Sequence, residues 1–305
     1  MILDGKTALS GAADGIELCM NTVIPALFPF FVLSAALLRG AAAFPYLEKV
    51  SSFLFGLPRG TGSLALPFFL GGYPVGAQSV YHAYESGLLQ RPEAERLLAF
   101  CNNAGPAFVF GVVGQMFPKS WMPWALWGIH LSGAWLAARC VRGGNTAANF
   151  DTQPVKTKGS LMSGAVFTMG TVCGWIILFR VLIAFLDRWF LWILPQSVRV
   201  ALVGILELSN GCCELIRISD IPTRFILCSG MLAAGGLCVT AQTISVTQGL
   251  SLHCCFLGKL IQILVSLVLS YSLMYHTVLP IPLLLLPLLC QISKKRSGNR
   301  MLSGV

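Results

Sequence analysis

The chain has 305 residues, of which 55% are hydrophobic and only 11% charged, and its mean hydropathy is +0.75. Soluble domains carry about 25% charged residues, so this composition excludes an ordinary water-soluble protein. The net charge of +9 comes from Lys and Arg placed between apolar segments, without the mixed basic and aromatic patch that binds nucleic acid. We therefore expect a multi-pass protein of the cell membrane, with the lipid bilayer as partner and no nucleic-acid partner.

The first half of the chain begins with a predicted span over residues 16–38, which contains Pro25 and Pro29. Membrane helices tolerate such prolines where neighbouring helices satisfy the freed carbonyl groups. The next apolar arm, residues 62–70, is too short to cross a bilayer and meets a Gly/Pro tip at residues 71–76. A polar return arm follows, so this segment predicts a re-entrant helical hairpin.

Residues 93–117 are long enough to cross the bilayer, but Asn-Asn-Ala-Gly-Pro interrupts them at residues 102–106. Two amides, a Gly and a Pro in mid-span are costly against lipid, and they indicate a broken helix whose ends line a site. Residues 121–138 complete the first half as another span, with three tryptophans typical of a membrane interface.

The second half follows the same plan after a polar linker at residues 140–160. It contains a span at 161–186, a short arm with its tip at 207–211, an interrupted span at 223–246 and a last span at 252–275. A short apolar segment at 278–292 precedes a basic tail.

The sequence thus predicts an all-α polytopic membrane protein with two inverted repeats. Each repeat consists of a span, a re-entrant helical hairpin, a broken span and a span, and a short extra C-terminal apolar segment follows. Three crossings per unit turn the second copy upside down. The predicted domains are residues 1–139, the cytoplasmic linker 140–160, residues 161–276 and the C-terminal part 277–305. A cytoplasmic linker, together with a crossing of residues 278–292 as a seventh, short span, places 13 of the 21 Lys and Arg residues inside and 6 outside.

The hairpin tips and helix breaks supply the candidate solute-binding residues, because Asn and Gln amides provide paired donors and acceptors. These residues are Gly72, Tyr73, Gly76, Gln78, Asn102, Asn103, Gly105, Glu207, Ser209, Asn210, Gly235, Gly236 and Gln242.

Each of these candidates has a structural alternative. Glu207, an ionisable group within the membrane, could bind a coupling proton or cation. Alternatively, it could form an ion pair with Arg180 or Arg199, or make hydrogen bonds that only hold the tip. The Asn pair could bind solute or satisfy the helix break, and the glycines could contact ligand or allow close helix packing.

The remaining residue types indicate neither a metal site nor a cofactor. The 11 cysteines form no C-x-x-C pair, and the four histidines have no metal-type spacing. Motifs of nucleotide-binding loops, zinc proteases and serine hydrolases are absent, so we expect no enzyme.

Five stretches carry a resemblance to a known family: NTVIPALFPFFVLSAALL, GGYPVGA, EAERLLAFCNNAGPAFVFG, LELSNG and GGLCVTAQ. The chain resembles the YlbJ-type sporulation integral membrane proteins, within the wider nucleoside-recognition or gate-domain group. The resemblance implies the gate fold of concentrative nucleoside transporters and a role in forming the spore cortex. It also implies that residues 72–76, 102–105 and 207–211 lie where such transporters hold solute.

Two functions follow from these observations. The first is binding or transport of a small polar solute, such as a nucleoside-like compound or another metabolite, for spore cortex formation. The second is a non-transporting membrane component that organises partners during sporulation. Its partners would be further copies of the chain or other sporulation membrane proteins.

Overall fold

The computed structural model describes residues 4–40, 45–58, 61–141 and 160–276, which form helices and turns without strands. The helices of the first half are α1 Gly5–Leu18, α2 Ile24–Gly40, α3 Pro45–Phe55, α4 Ala65–Phe69, α5 Val75–Glu85, α6 Arg91–Leu97, α7 Pro106–Gly111 and α8 Trp121–Cys140. Those of the second half are α9 Leu161–Trp189, α10 Gln196–Leu206, α11 Leu208–Glu214, α12 Ile221–Ala234, α13 Gly236–Val246 and α14 His253–Met274.

Four stretches in the described part are long and apolar enough to cross a membrane: Gly5–Leu33, Leu161–Trp189, Ile221–Val246 and His253–Met274. The prediction of an all-α polytopic membrane protein is therefore confirmed. The predicted apolar segment at 278–292 and most of the predicted linker lie outside the described residues.

The order of the helices can be compared with the predicted repeat. In the first half, the extra short helix α3 follows the long helical stretch α1–α2. Apart from α3, each half contains a long helical stretch, then two short helices, then an interrupted segment and finally one helix. In the second half these elements are α9, the pair α10 and α11, the interrupted segment α12–α13, and α14. The inversion of one half relative to the other, and the division into domains, stay predictions.

The first of the four apolar stretches, Gly5–Leu33, packs along α9 through two glycines. Gly11 and Gly15 face the backbone of α9, where a side chain at Gly11 would meet Val181 Cα at 2.9 Å. Small residues let membrane helices approach closely, because apolar side chains gain little from contact with each other in lipid. A π-helical turn, Cys19–Val23, joins α1 to α2 directly before Pro25.

A chain of alternating charges joins α1, α9, α10 and α11. Arg180 contacts Asp14 at 2.7 Å and Asp187 at 3.8 Å, and Arg199 contacts Asp187 at 2.8 Å and Glu214 at 2.6 Å. Both arginines therefore have acidic partners other than Glu207, and the alternative that Glu207 pairs with one of them is wrong.

Two apolar clusters enclose the first helix break. One contains Phe68, Phe100 and Cys101, while the other contains Ala104 and Phe108. The two asparagines between Cys101 and Ala104 are thus buried between apolar groups on both sides, where polar atoms need protein partners.

Candidate functional site

The first hairpin tip packs directly on the first helix break. A side chain at Gly105 would meet the Gly72 nitrogen and the Leu70 carbonyl oxygen, both at 3.0 Å. Gly76, in the first turn of α5, lies against the backbone carbonyl of Cys101. Only hydrogen atoms fit in these gaps, so the glycines bring the tip and the break into backbone contact.

Tyr73 connects this tip to the break in the second half. Its hydroxyl donates a 2.7 Å hydrogen bond to the carbonyl oxygen of Leu232, in the last turn of α12. Its ring also lies beside Gly235, whose left-handed conformation (φ +74°) ends that helix. One side chain therefore links the first tip to the second break.

In the side-chain amides of Asn102 and Asn103, the nitrogens donate hydrogen bonds but the oxygens accept none from the described residues. Asn103 Nδ2 donates to the carbonyl oxygens of Phe68 (3.0 Å) and Phe100 (2.7 Å). Asn102 Nδ2 donates to Thr243 Oγ1 at 2.7 Å. These partners fix the amide orientations. Both Oδ1 atoms are buried, and neither has a hydrogen-bond partner in the part of the chain that the structure describes. The break therefore presents two unused acceptors.

Lys259 brings a positive charge to the same break. Its ammonium donates a 2.8 Å hydrogen bond to the carbonyl oxygen of Asn102 and lies 5.0 Å from the centre of the Tyr73 ring. Within residues 4–40, 45–58, 61–141 and 160–276, no carboxylate pairs with it. A cation inside the membrane span His253–Met274 thus has a carbonyl and a ring face as partners, and no counter-ion among these residues.

His130 holds the break from the side of α8. The backbone N–H of Ala104 donates to His130 Nε2 at 3.0 Å, so the ring proton belongs on Nδ1, which has no partner. Gln262 lies nearby on α14, donates to the carbonyl oxygen of Ala99 at 3.1 Å and keeps an unpaired Oε1. Hydrogen bonds therefore hold the break both through its backbone, at Ala104, and through the side chains of Asn102 and Asn103.

We expect His130→Leu to lower the free energy of unfolding by about 1–3 kcal/mol, because the buried Ala104 N–H would lose its acceptor. His130→Gln offers an amide oxygen to the same N–H and should lose less. Melting temperatures of the purified variants in detergent measure the difference. Equal losses in the two variants would show that packing of the ring matters and the hydrogen bond does not.

Glu207 forms a separate cluster of hydrogen bonds between α10 and α11. Its carboxylate accepts hydrogen bonds from the backbone N–H of Ser209 (2.9 Å), from the backbone N–H of Asn210 (2.7 Å) and from Asn210 Nδ2 (2.6 Å). The carboxylate caps the start of α11 and is buried. Its local partners account for its position, and a role in coupling stays a prediction.

The structure thus brings some of the predicted site residues together and places others elsewhere. Seven of them meet at the first break, namely Gly72, Tyr73, Gly76, Asn102, Asn103, Gly105 and Gly235. Glu207, Ser209 and Asn210 form the separate hydrogen-bond cluster between α10 and α11. Gly236 packs on the carbonyl oxygens of Gly204 and Ile205, Gln242 bonds to Cys238 within α13, and Gln78 is half-buried on α5.

Comparison with known proteins gives one match of limited extent. A 116-residue stretch is 32% identical to the sporulation integral membrane protein YlbJ of Bacillus subtilis (strain 168). This relative is an integral membrane protein of sporulation. The stretch covers 37% of this chain and 28% of the length of YlbJ, so the chain matches less than a third of that relative. No family model and no solved structure matches the chain.

Similarity to YlbJ and the apolar helices together support a multi-pass membrane protein. The nucleoside-recognition group, the cortex and transport stay predictions. In the described part of the chain, no group of three His, Cys, Asp or Glu residues could hold a metal ion.

Sequence reasoning missed Lys259, His130, Thr243 and Gln262 as members of the site. Lys259 carried a usable signal, because an ionisable residue inside an apolar span is a functional candidate. The other three are polar residues of ordinary helices, and only their tertiary contacts identify them.

Proposed function

We propose that this protein binds a small polar solute with an acidic group and moves it across a membrane of a sporulating cell. The ammonium of Lys259 at the first helix break, which has no counter-ion among the described residues, carries the proposal. A charge buried in a membrane without a counter-ion is costly, and an anionic solute would supply that counter-ion.

The amide oxygens without donors indicate which other groups the solute carries. Asn102 Oδ1, Asn103 Oδ1 and Gln262 Oε1 can each accept a hydrogen bond but have no donor among the described residues. A solute that also carries N–H or O–H donors would satisfy them, and each buried acceptor left unpaired costs about 1–3 kcal/mol. A small molecule that carries both an acidic group and hydrogen-bond donors therefore fits this site better than a neutral nucleoside does.

Movement is part of the proposal because the polar atoms are shut off from solvent. The three amide oxygens are buried. A solute reaches Asn102 and Asn103 only when the hairpin tip at Gly72 and the break at Gly105 move apart. Irregular backbone of this kind at membrane depth is typical of transporters that open to either side of a central site.

The sporulation setting rests on the relative. YlbJ is named as a sporulation integral membrane protein, and the two chains share the 116-residue stretch. A role of the solute in forming the spore cortex belongs to the same proposal.

A panel of solutes tests this function on the purified protein in detergent. The panel contains carboxylic acids including dipicolinate, amino acids, nucleosides, bases and metal ions, and the melting temperature is followed. A compound present at a hundredfold its dissociation constant should stabilise the fold by about 2.7 kcal/mol. We expect acids to raise the melting temperature and neutral nucleosides to leave it unchanged.

Uptake of the stabilising acid into proteoliposomes then separates transport from binding. Stabilisation by nucleosides instead of acids would refute the acidic solute and keep a nucleoside-like one. If no compound stabilised the protein or entered the liposomes, the second function would be preferred, namely a membrane component that organises partners.

A further inference from the structure

The short helix α3 presents an unusual exposed surface. Tyr46, Val50 and Phe53 lie at spacings of four and three residues, and their exposed fractions are 81%, 53% and 71%. Residues at these spacings share one face of a helix, so α3 exposes an apolar stripe. Lys49, also exposed, lies beside it.

The opposite side and the C-terminal end of α3 are fixed to the protein. Ser51 is buried and its hydroxyl donates to the carbonyl oxygen of Gly62 at 3.4 Å. Arg139 donates to the Phe53 carbonyl oxygen at 2.7 Å, and Arg96 donates to the carbonyl oxygens of Phe55 (3.2 Å) and Gly56 (2.9 Å). The helix is therefore held in one orientation, with its stripe outward.

The level of α3 in the membrane follows from these contacts together with the predicted crossing of α8. Arg139 lies in the last turn of α8, a helix of 20 residues that begins with exposed tryptophans. The sequence predicts a span over α8, which is not among the four stretches that are apolar enough to cross by composition. A helix tied to the end of such a segment lies at a membrane–water boundary. With 11 residues, α3 is about 16 Å long and too short to cross the bilayer.

The charges at this boundary are mainly positive. Lys49, Arg96 and Arg139 lie on or against α3, while its sequence contains one acid, Glu48. An apolar helix face flanked by basic groups is the arrangement of helices that lie flat in a leaflet containing anionic lipids.

We infer that α3 lies in the plane of the membrane and binds anionic phospholipid. Tyr46, Val50 and Phe53 enter the acyl boundary, and Lys49 pairs with the lipid phosphate groups. This inference does not rest on the proposed transport of a solute, because Tyr46, Val50 and Phe53 are exposed and are not among the partners described at the helix break.

Photo-crosslinking from α3 identifies what covers the stripe. The full chain, with benzoylphenylalanine in place of Phe53, is reconstituted in liposomes of phosphatidylglycerol and phosphatidylethanolamine and irradiated. We expect phospholipid adducts in the mass spectrum. A crosslinked dimer without lipid adducts would overturn the inference and assign the stripe to contact between copies.

Lipid-dependent stability tests the role of Lys49. In neutral detergent, added phosphatidylglycerol should raise the melting temperature of the protein more than phosphatidylcholine does. Lys49→Gln should remove at least about half of that difference. Lys119→Gln should retain the difference, because Lys119 precedes the opposite end of α8. Equal effects of the two lipids on the unmodified protein, or equal losses in both variants, would overturn the binding of anionic lipid by Lys49.

Discussion

Lys259→Gln is expected to weaken binding of the stabilising acid by at least about 30-fold, which corresponds to ~2 kcal/mol. Truncating one partner of a buried charge pair costs about 2–5 kcal/mol, because the other charge is left buried and unpaired. Calorimetric titration of the variant with the acid found in the solute panel measures the loss.

The fold should tolerate this substitution, which makes the binding result interpretable. Lys259→Gln loses a charged hydrogen bond to Asn102 and the contact with the Tyr73 ring, about 2–5 kcal/mol together. It also removes a buried ammonium, whose desolvation costs several kcal/mol. The two effects largely cancel, so the melting temperature without solute should change by only a few degrees.

Lys119→Gln is the matched control for the binding measurement. Lys119 is exposed and lies just before α8, and its substitution by Gln removes the same charge. If the two variants bound the acid equally well, Lys259 would have no part in recognition and the proposed acidic solute would lose its main support.

Gly76→Ala is expected to destabilise the protein by about 3 kcal/mol or more. A methyl group at Gly76 would overlap the carbonyl oxygen and carbon of Cys101 and lie 3.5 Å from the Asn102 Cα. These are backbone atoms, so the hairpin and the break would have to separate. Overpacking of a tight core costs about 1–3 kcal/mol, and occasionally more where backbone must shift.

Gly128→Ala provides the comparison within a helix. Gly128 is exposed on α8, and a methyl group there would meet nothing within 4 Å. Alanine also has the higher helix propensity, by about 1 kcal/mol. Thermal unfolding in detergent should therefore show a lower melting temperature for Gly76→Ala and an equal or higher one for Gly128→Ala. Equal melting temperatures would mean that the tip does not press on the break.

The helix breaks show how far local sequence could predict the fold. Asn102 to Pro106 and Gly235 combine residues that disfavour a helix with positions in the middle of apolar segments. No helix covers residues 98–105, and α12 ends directly before Gly235. The ends of the first span were harder to predict. Helical structure begins at Gly5, because Asp4 caps it and polar residues there pair with α9.

Glu207 and Lys259 show why sequence alone could not tell how two buried charges are partnered. Both are ionisable residues in apolar surroundings, and the sequence favoured Glu207 as a site residue. The structure places three hydrogen-bond donors around Glu207 within its own turn, but gives Lys259 a carbonyl group and a ring from distant segments. Local sequence does not contain those distant partners.

The sequence by itself determined that this is a helical membrane protein, because hydropathy and the Gly/Pro breaks act over short stretches of chain. Only the tertiary structure decided which polar groups share the first break, because these groups come from the tip before α5 and from α8, α13 and α14. Contacts such as Asn102 with Thr243 and with Lys259 join residues more than 140 positions apart. Burial and pairing in such contacts depend on the packing of whole helices, which no local pattern encodes.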